Sequence, residues 1–129
     1  MMQAFLQREL GGGFVVESAG TNRESAGQPA NPYSLKCLEL RGMDLPGHAS
    51  RWIGELGLGE YAHIVCVGEQ EKAAVLALLD DHSVPVIIAN EENGGIPNPY
   101  QKGWNAYQTC ARVLGQVMPK VAQIIRQAA

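Results

Sequence analysis

The sequence predicts an α/β fold, a three-layer, mostly parallel sheet flanked by helices, and three observations carry the prediction. Ala62-His63-Ile64-Val65-Cys66-Val67 and Val84–Ile88 are nearly unbroken apolar runs, which is how strands covered on both faces of a parallel sheet read. Between them Glu69–Leu79 has helical spacing, with Val75, Leu76 and Leu79 expected inward. Strand, helix and strand in that order make a βαβ unit with a right-handed crossover. The chain then closes on its strongest periodicity, a single stripe of Tyr107, Ala111, Leu114, Met118, Val121 and Ile125, whose plain meaning is a helix packed on a core.

The remaining elements follow in order. Met2, Phe5, Leu6 and Leu10 share one helical face, and Gly11-Gly12-Gly13 ends that helix, because glycine enters the left-handed region freely. Phe14-Val15-Val16 is a short β-type run leading into Glu17-Ser18-Ala19-Gly20-Thr21, and a polar loop follows from Asn22 to Ala30. Asn31-Pro32 is a helix start, a capping side chain before a proline in the first turn. That helix carries Leu35, Cys37 and Leu38 and should stop at Gly42. After Pro46 to Arg51 a short amphipathic stretch holds Ile53 and Leu56, and an irregular segment runs from Asn90 to Gly103. Pro119, inside the last periodic segment, is expected to kink the helix or restart it. Ligands of open parallel sheets sit beyond the carboxyl ends of the strands. Here those ends are Ser18, Gly68 and the loop after Ile88.

At 129 residues the chain is expected to form one domain, 1–129. Hydrophobic residues at 46% and charged residues at 18% suit a globular core rather than disorder. The formal charge is −3 and the ten basic residues are scattered, so neither nucleic acid nor a membrane surface is expected as a partner. Cys37, Cys66 and Cys110 are far apart and fall on apolar segments. They read as buried, inert thiols rather than a disulfide framework or a zinc site, and no cofactor or metal is called for. Without a long apolar run or a signal-type N-terminus, a cytoplasmic location is the expectation.

Three stretches together resemble the low-molecular-weight protein tyrosine phosphatase family. Val16-Glu17-Ser18-Ala19-Gly20-Thr21 is similar to that family's second strand and turn. Gly47-His48-Ala49-Ser50-Arg51-Trp52-Ile53 is similar to its H-x-[SA]-R-x-[IL] segment, and Ile96-Pro97-Asn98-Pro99-Tyr100 to its D-P-[YF] loop. Met1 to Arg8 also looks like the helix that leaves the family's catalytic loop. The resemblance implies hydrolysis of phosphotyrosine monoesters through a phosphocysteine, with a phosphorylated protein or small phosphate ester as substrate. It implies that Ser18 supports the phosphate loop, that Asn98 stands at the general-acid position, and that Tyr100 lines the substrate slot. His48 and Arg51 carry over as structural residues, and Asn22–Gly27 as a variable wall that here lacks an aromatic residue.

The family's chemistry rests on C-x5-R-[ST]. Five residues between Cys and Arg wrap the backbone into a nest of N–H donors at a helix N-terminus. That nest holds one phosphate, lowers the thiol pKa for attack, and lets the arginine clamp two oxygens. In this chain Cys37 leads to Met43, Cys66 to Lys72 and Cys110 to Gln116. The expectation is a chain truncated at its N-terminus relative to the family, lacking the loop and the usual first strand, and therefore inactive as written. Asn98 is an independent departure, since a carboxamide neither gives nor takes the proton an aspartate would; Glu91 and Glu92 are the nearest acids in sequence. The alternative is a non-catalytic pseudophosphatase that binds a protein partner. A thiol-dependent arsenate reductase on this fold needs further cysteines between Gly68 and Gly103, and there are none. A missing strand would leave unpaired backbone on Phe14–Ser18 and Ile64–Val67, so self-association into a homo-oligomer through open sheet edges is also expected.

Overall fold

A computed structural model describes residues 1–45, 48–79 and 84–128. Its elements are α1 (Met2–Leu10), α2 (Pro32–Glu39), β1 (Ile64–Cys66), α3 (Glu69–Leu78), β2 (Val86–Ile88) and α4 (Trp104–Gln127), with short 3₁₀ turns between them. The order is α/β and the sheet is parallel, as the apolar runs predicted. Two compact units divide the chain, one of Met1–Ser18, Pro29–Ala49 and Pro97–Ala129, the other of Ala19–Gln28 and Ser50–Ile96.

The first unit is helical and built on α4. All six stripe residues, Tyr107, Ala111, Leu114, Met118, Val121 and Ile125, are buried. Phe5, Leu6 and Leu10 of α1 and Cys37 and Leu38 of α2 are buried with them. An added Cβ at Gly115 would still clear Phe5 Cε1 by 3.7 Å, so the α1 ring lies over the α4 glycine in ordinary van der Waals contact. Pro119 does not restart the helix: α4 runs unbroken from Trp104 to Gln127. Met118, Val121 and Ala122 anchor the turn beneath it, while Pro119 itself faces outward. Asn31 caps α2 by accepting from Tyr33 N–H at 2.8 Å. Leu35 is 40% exposed. Two residues along a helix is about 200° of rotation, so Leu35 lies opposite Cys37, while three residues bring it to the flank of Leu38.

The β-type run Phe14–Val16 forms no strand. It has no strand neighbour among the described residues, and its main chain instead pairs with side-chain amides of α1. Gln3 Nε2 donates to Val16 O at 3.0 Å and Gln7 Nε2 to Phe14 O at 2.8 Å, while Val16 N–H donates to Gln7 Oε1 at 3.0 Å.

The second unit carries the sheet. β1 and β2 pair in parallel with Ile64 opposite Val86, Val65 opposite Ile87 and Cys66 opposite Ile88. Both strands are shorter than the apolar runs that announced them. α3 packs on the two strands, and Ile53, Leu58, Cys66, Val75, Leu79 and Val84 form one buried cluster. Leu76, expected inward, is 41% exposed, because Val75 takes the single buried position of α3. Gly95 passes close to the end of β1. A Cβ there would lie 2.2 Å from Val67 O, and its φ is +101°, so glycine is required on two counts.

Candidate functional site

Ser18, Asn98 and Tyr100 all fall in the helical unit. Ser18 is half-buried, and its Oγ donates to Gln3 Oε1 at 2.5 Å. Gln3 therefore bridges Ser18 and the Val16 carbonyl, and Gln7, one turn on, takes Phe14 and Val16. Residues four apart on a helix face the same way, so the pair makes a short rail along which the 14–18 segment is laid. Sequence reading missed this rail. Its one visible signal is a pair of glutamines at i and i+4 beside a β-type run that lacks a partner.

Asn98 is exposed and its Oδ1 accepts the Tyr100 N–H at 3.1 Å. That is an Asx turn, the local bond that makes asparagine common in loops. Lys102 N–H to Pro99 O, 3.0 Å, and a left-handed Gln101 (φ 61°) complete the reversal into α4. Tyr100 is 62% exposed. Asn98 and Tyr100 are thus joined by one hydrogen bond, and Ser18 donates to Gln3. Glu91 and Glu92 are exposed on the 3₁₀ turn Glu91–Asn93 of the second unit.

The segment that resembles the family's histidine–arginine motif is tied in through its backbone and the Ser50 hydroxyl where it is described; its first residue, Gly47, lies outside the described residues. Ala49 bridges antiparallel to Pro29. Ser50 Oγ accepts from Gln28 N–H at 3.0 Å and donates to Ser25 O. Arg51 O accepts from Gly20 N–H at 2.7 Å. The wall loop is held by an Asn22 cap on Glu24 N–H and by the Arg23 guanidinium 5.1 Å above the Trp52 ring.

The three thiols are free and buried. Burial pushes the Cys66 thiol up to about 11, helped by Glu71, and raises those of Cys37 and Cys110 as well. A thiol at about 11 is thiolate in roughly one molecule in ten thousand at neutral pH. Only the thiolate attacks phosphorus at a useful rate. Among the described residues no three His, Cys, Asp or Glu side chains gather as metal ligands would. Gln3, Gln7, Arg8 and Asp44 help line a depression of about 250 Å³ beside α1, below the range of about 300–1,000 Å³ usual for small-molecule pockets. No described helix is long and apolar enough to cross a membrane.

Against known proteins, a family model described as low molecular weight phosphotyrosine protein phosphatase matches residues 1–129. A solved protein tyrosine phosphatase superposes with a TM-score of 0.86 at 21% identity, covering 99% of this chain and 87% of its own. Wzb from Vibrio vulnificus, in complex with benzylphosphonate, gives 0.84 at 17% identity, covering 95% of this chain and 87% of its own. The YwlE arginine phosphatase from Geobacillus stearothermophilus gives 0.83 at 16% identity, covering 98% and 84%. At these identities the likeness establishes fold. Comparison with curated protein sequences gives no match.

Proposed function

We propose, from the premise that this chain belongs to the low molecular weight phosphotyrosine protein phosphatase family, that its 129 residues carry the family's frame without the step that breaks the phosphate ester. One observation carries the reading. No cysteine here is followed six residues later by arginine, and every thiol is buried with its proton held above the ordinary value. Nucleophilic phosphoryl transfer needs a thiolate set in a nest of N–H donors, and these residues supply neither. Asn98 supports the same reading. Its carboxamide is committed to the Tyr100 turn, whereas a general acid contributes about 10²–10⁴ in rate. A phosphorylated protein or small phosphate ester is the substrate of a form that carries the Cys-x5-Arg loop.

The test is hydrolysis of p-nitrophenyl phosphate and of a phosphotyrosine peptide by the purified chain. Release no faster than buffer is expected, for the chain and for Asn98→Asp alike, since restoring an acid does not supply a nucleophile. Turnover that disappears on mutating one of the three cysteines would overturn the reading.

A second reading, a non-catalytic module that binds protein, is favoured by the open edge of β1. In a parallel pair, alternate residues direct their N–H and C=O to one neighbour. Ile64 N–H donates to Pro85 O and Cys66 O accepts from Ala89 N–H, so Val65 offers its groups to the other side. β1 has no strand partner there among the described residues. The partner proposed is a second copy of the chain, paired edge to edge. Light scattering on a sizing column should show mass falling with dilution; a clean monomer at every concentration counts against it.

A further inference from the structure

The loop after β2 carries three asparagines, Asn90, Asn93 and Asn98, and each is followed by a different backbone nitrogen. Asn98 precedes Pro99, which has no N–H. Asn93 precedes Gly94, the least hindered residue that can follow an asparagine. Both Asn93 and Gly94 are exposed, and they close a single 3₁₀ turn, Glu91–Asn93, with Gly94 left-handed at φ 84°. A one-turn 3₁₀ segment is weakly hydrogen-bonded and opens at small cost.

We propose that Asn93 is a self-modifying site, which deamidates through Gly94 and thereby loosens the turn that ties residues 90–96 to the end of β1. The Gly94 nitrogen attacks Asn93 Cγ, forming an N–Cγ bond as the Cγ–Nδ2 bond breaks. Nδ2 leaves as ammonia, taking the proton that Gly94 N gives up, and a five-membered imide remains. Water then opens the ring. Attack at the main-chain carbonyl yields isoaspartate, and attack at Cγ yields aspartate. The balance is amide plus water to acid plus ammonia, with no other reactant. The structure also sets what slows the step. Gly94 N–H is bonded to Glu91 O at 3.1 Å, and Asn93 Nδ2 to Asn90 Oδ1 at 3.0 Å, and both bonds must open first.

The product disturbs its own turn. Asn93 Nδ2 was a donor to Asn90 Oδ1, and a carboxylate in its place puts two acceptors face to face. Its charge also joins Glu91 and Glu92 on the same exposed turn. Asn90 is the hub of that turn. Its Nδ2 donates to Gly95 O at 3.0 Å, and its O accepts from Asn93 and Gly95 N–H. Ile96 N–H, next in line, donates to Val67 O at 2.8 Å.

The experiment is to age the full chain in mildly alkaline buffer and follow by mass the tryptic peptides Ala73–Lys102, which holds Asn93 and Asn98, and Gly103–Arg112, which holds Asn105. Isoaspartate is read by enzymatic carboxyl methylation. Asn93 should gain about 1 Da several-fold faster than Asn98 or Asn105, with isoaspartate present, faster at higher pH, and faster still in urea. Asn93→Gln should remove the gain. Hydrogen exchange at Gly95 and Ile96 should rise several-fold in the aged chain and in Asn93→Asp. Conversion of Asn93 no faster than of Asn105 overturns the site, and unchanged exchange after full conversion overturns its effect on the turn.

Discussion

Gln7 makes three hydrogen bonds from one side chain, to Phe14 O, to Gly11 O and from Val16 N–H. With Gln3 it does for the 14–18 segment what a neighbouring strand does in a sheet, because a carboxamide offers the same donor and acceptor as a peptide group. A partly buried peptide group left without a partner costs about 1–3 kcal/mol. Gln7→Met keeps the length of the side chain and removes the amide. It should lower the denaturant midpoint by an amount equivalent to about 1–3 kcal/mol and speed hydrogen exchange at Val16. An unchanged midpoint would mean that water satisfies the segment equally well. At the same scale, the proline after Asn98 keeps that position an amide as the protein ages, so the carboxylate of the family's acid does not arise there through the imide route.

Among the elements, α4 tests how far a local rule yields to packing. Proline in a helix interior costs about 3 kcal/mol relative to alanine, through the lost N–H bond and the ring's clash with the carbonyl four residues back. Yet α4 is continuous, because the buried stripe on both sides of Pro119 is held by the same core. Pro119→Ala should therefore raise stability in thermal or urea unfolding by up to about 3 kcal/mol, with the outward position leaving the core untouched. A loss of stability would show that the proline relieves something the helix needs. α2 makes the complementary point. It is only eight residues long, so isolated it would be marginal. It is held by Cys37 and Leu38 in the core and by Tyr33, whose ring meets Tyr107 at 5.4 Å and Trp104 at 5.7 Å.

For the molecule as a whole, the buried thiols tie stability to pH. Each folded-state pKa lies above the ordinary value of 9.0, so the unfolded chain releases its proton first. Below about 9 both states keep the proton and the contribution is whole; as pH rises from about 9 towards 11, the value for Cys66, only the unfolded chain ionises and stability falls. Urea unfolding near pH 8 and near pH 10.5 should show that loss, and Cys66→Val should lose less. Equal losses would mean that other groups carry the alkaline slope. By itself the sequence determined the α/β class, the faces of α1 and α4, the buried cysteines and the family likeness, because 3.6-residue periodicity, unbroken apolar runs and motif order are all written locally. It also determined that no Cys-x5-Arg lies in these residues and that Asn98 is an amide. Only the tertiary structure decided that Phe14–Val16 is laid along two glutamines instead of becoming a strand. The same holds for Pro119 leaving α4 unbroken, and for Leu35 and Leu76 facing outward. The reason is common to these cases. A residue's pattern states which face it can offer, but whether another element meets that face depends on groups far away in the chain.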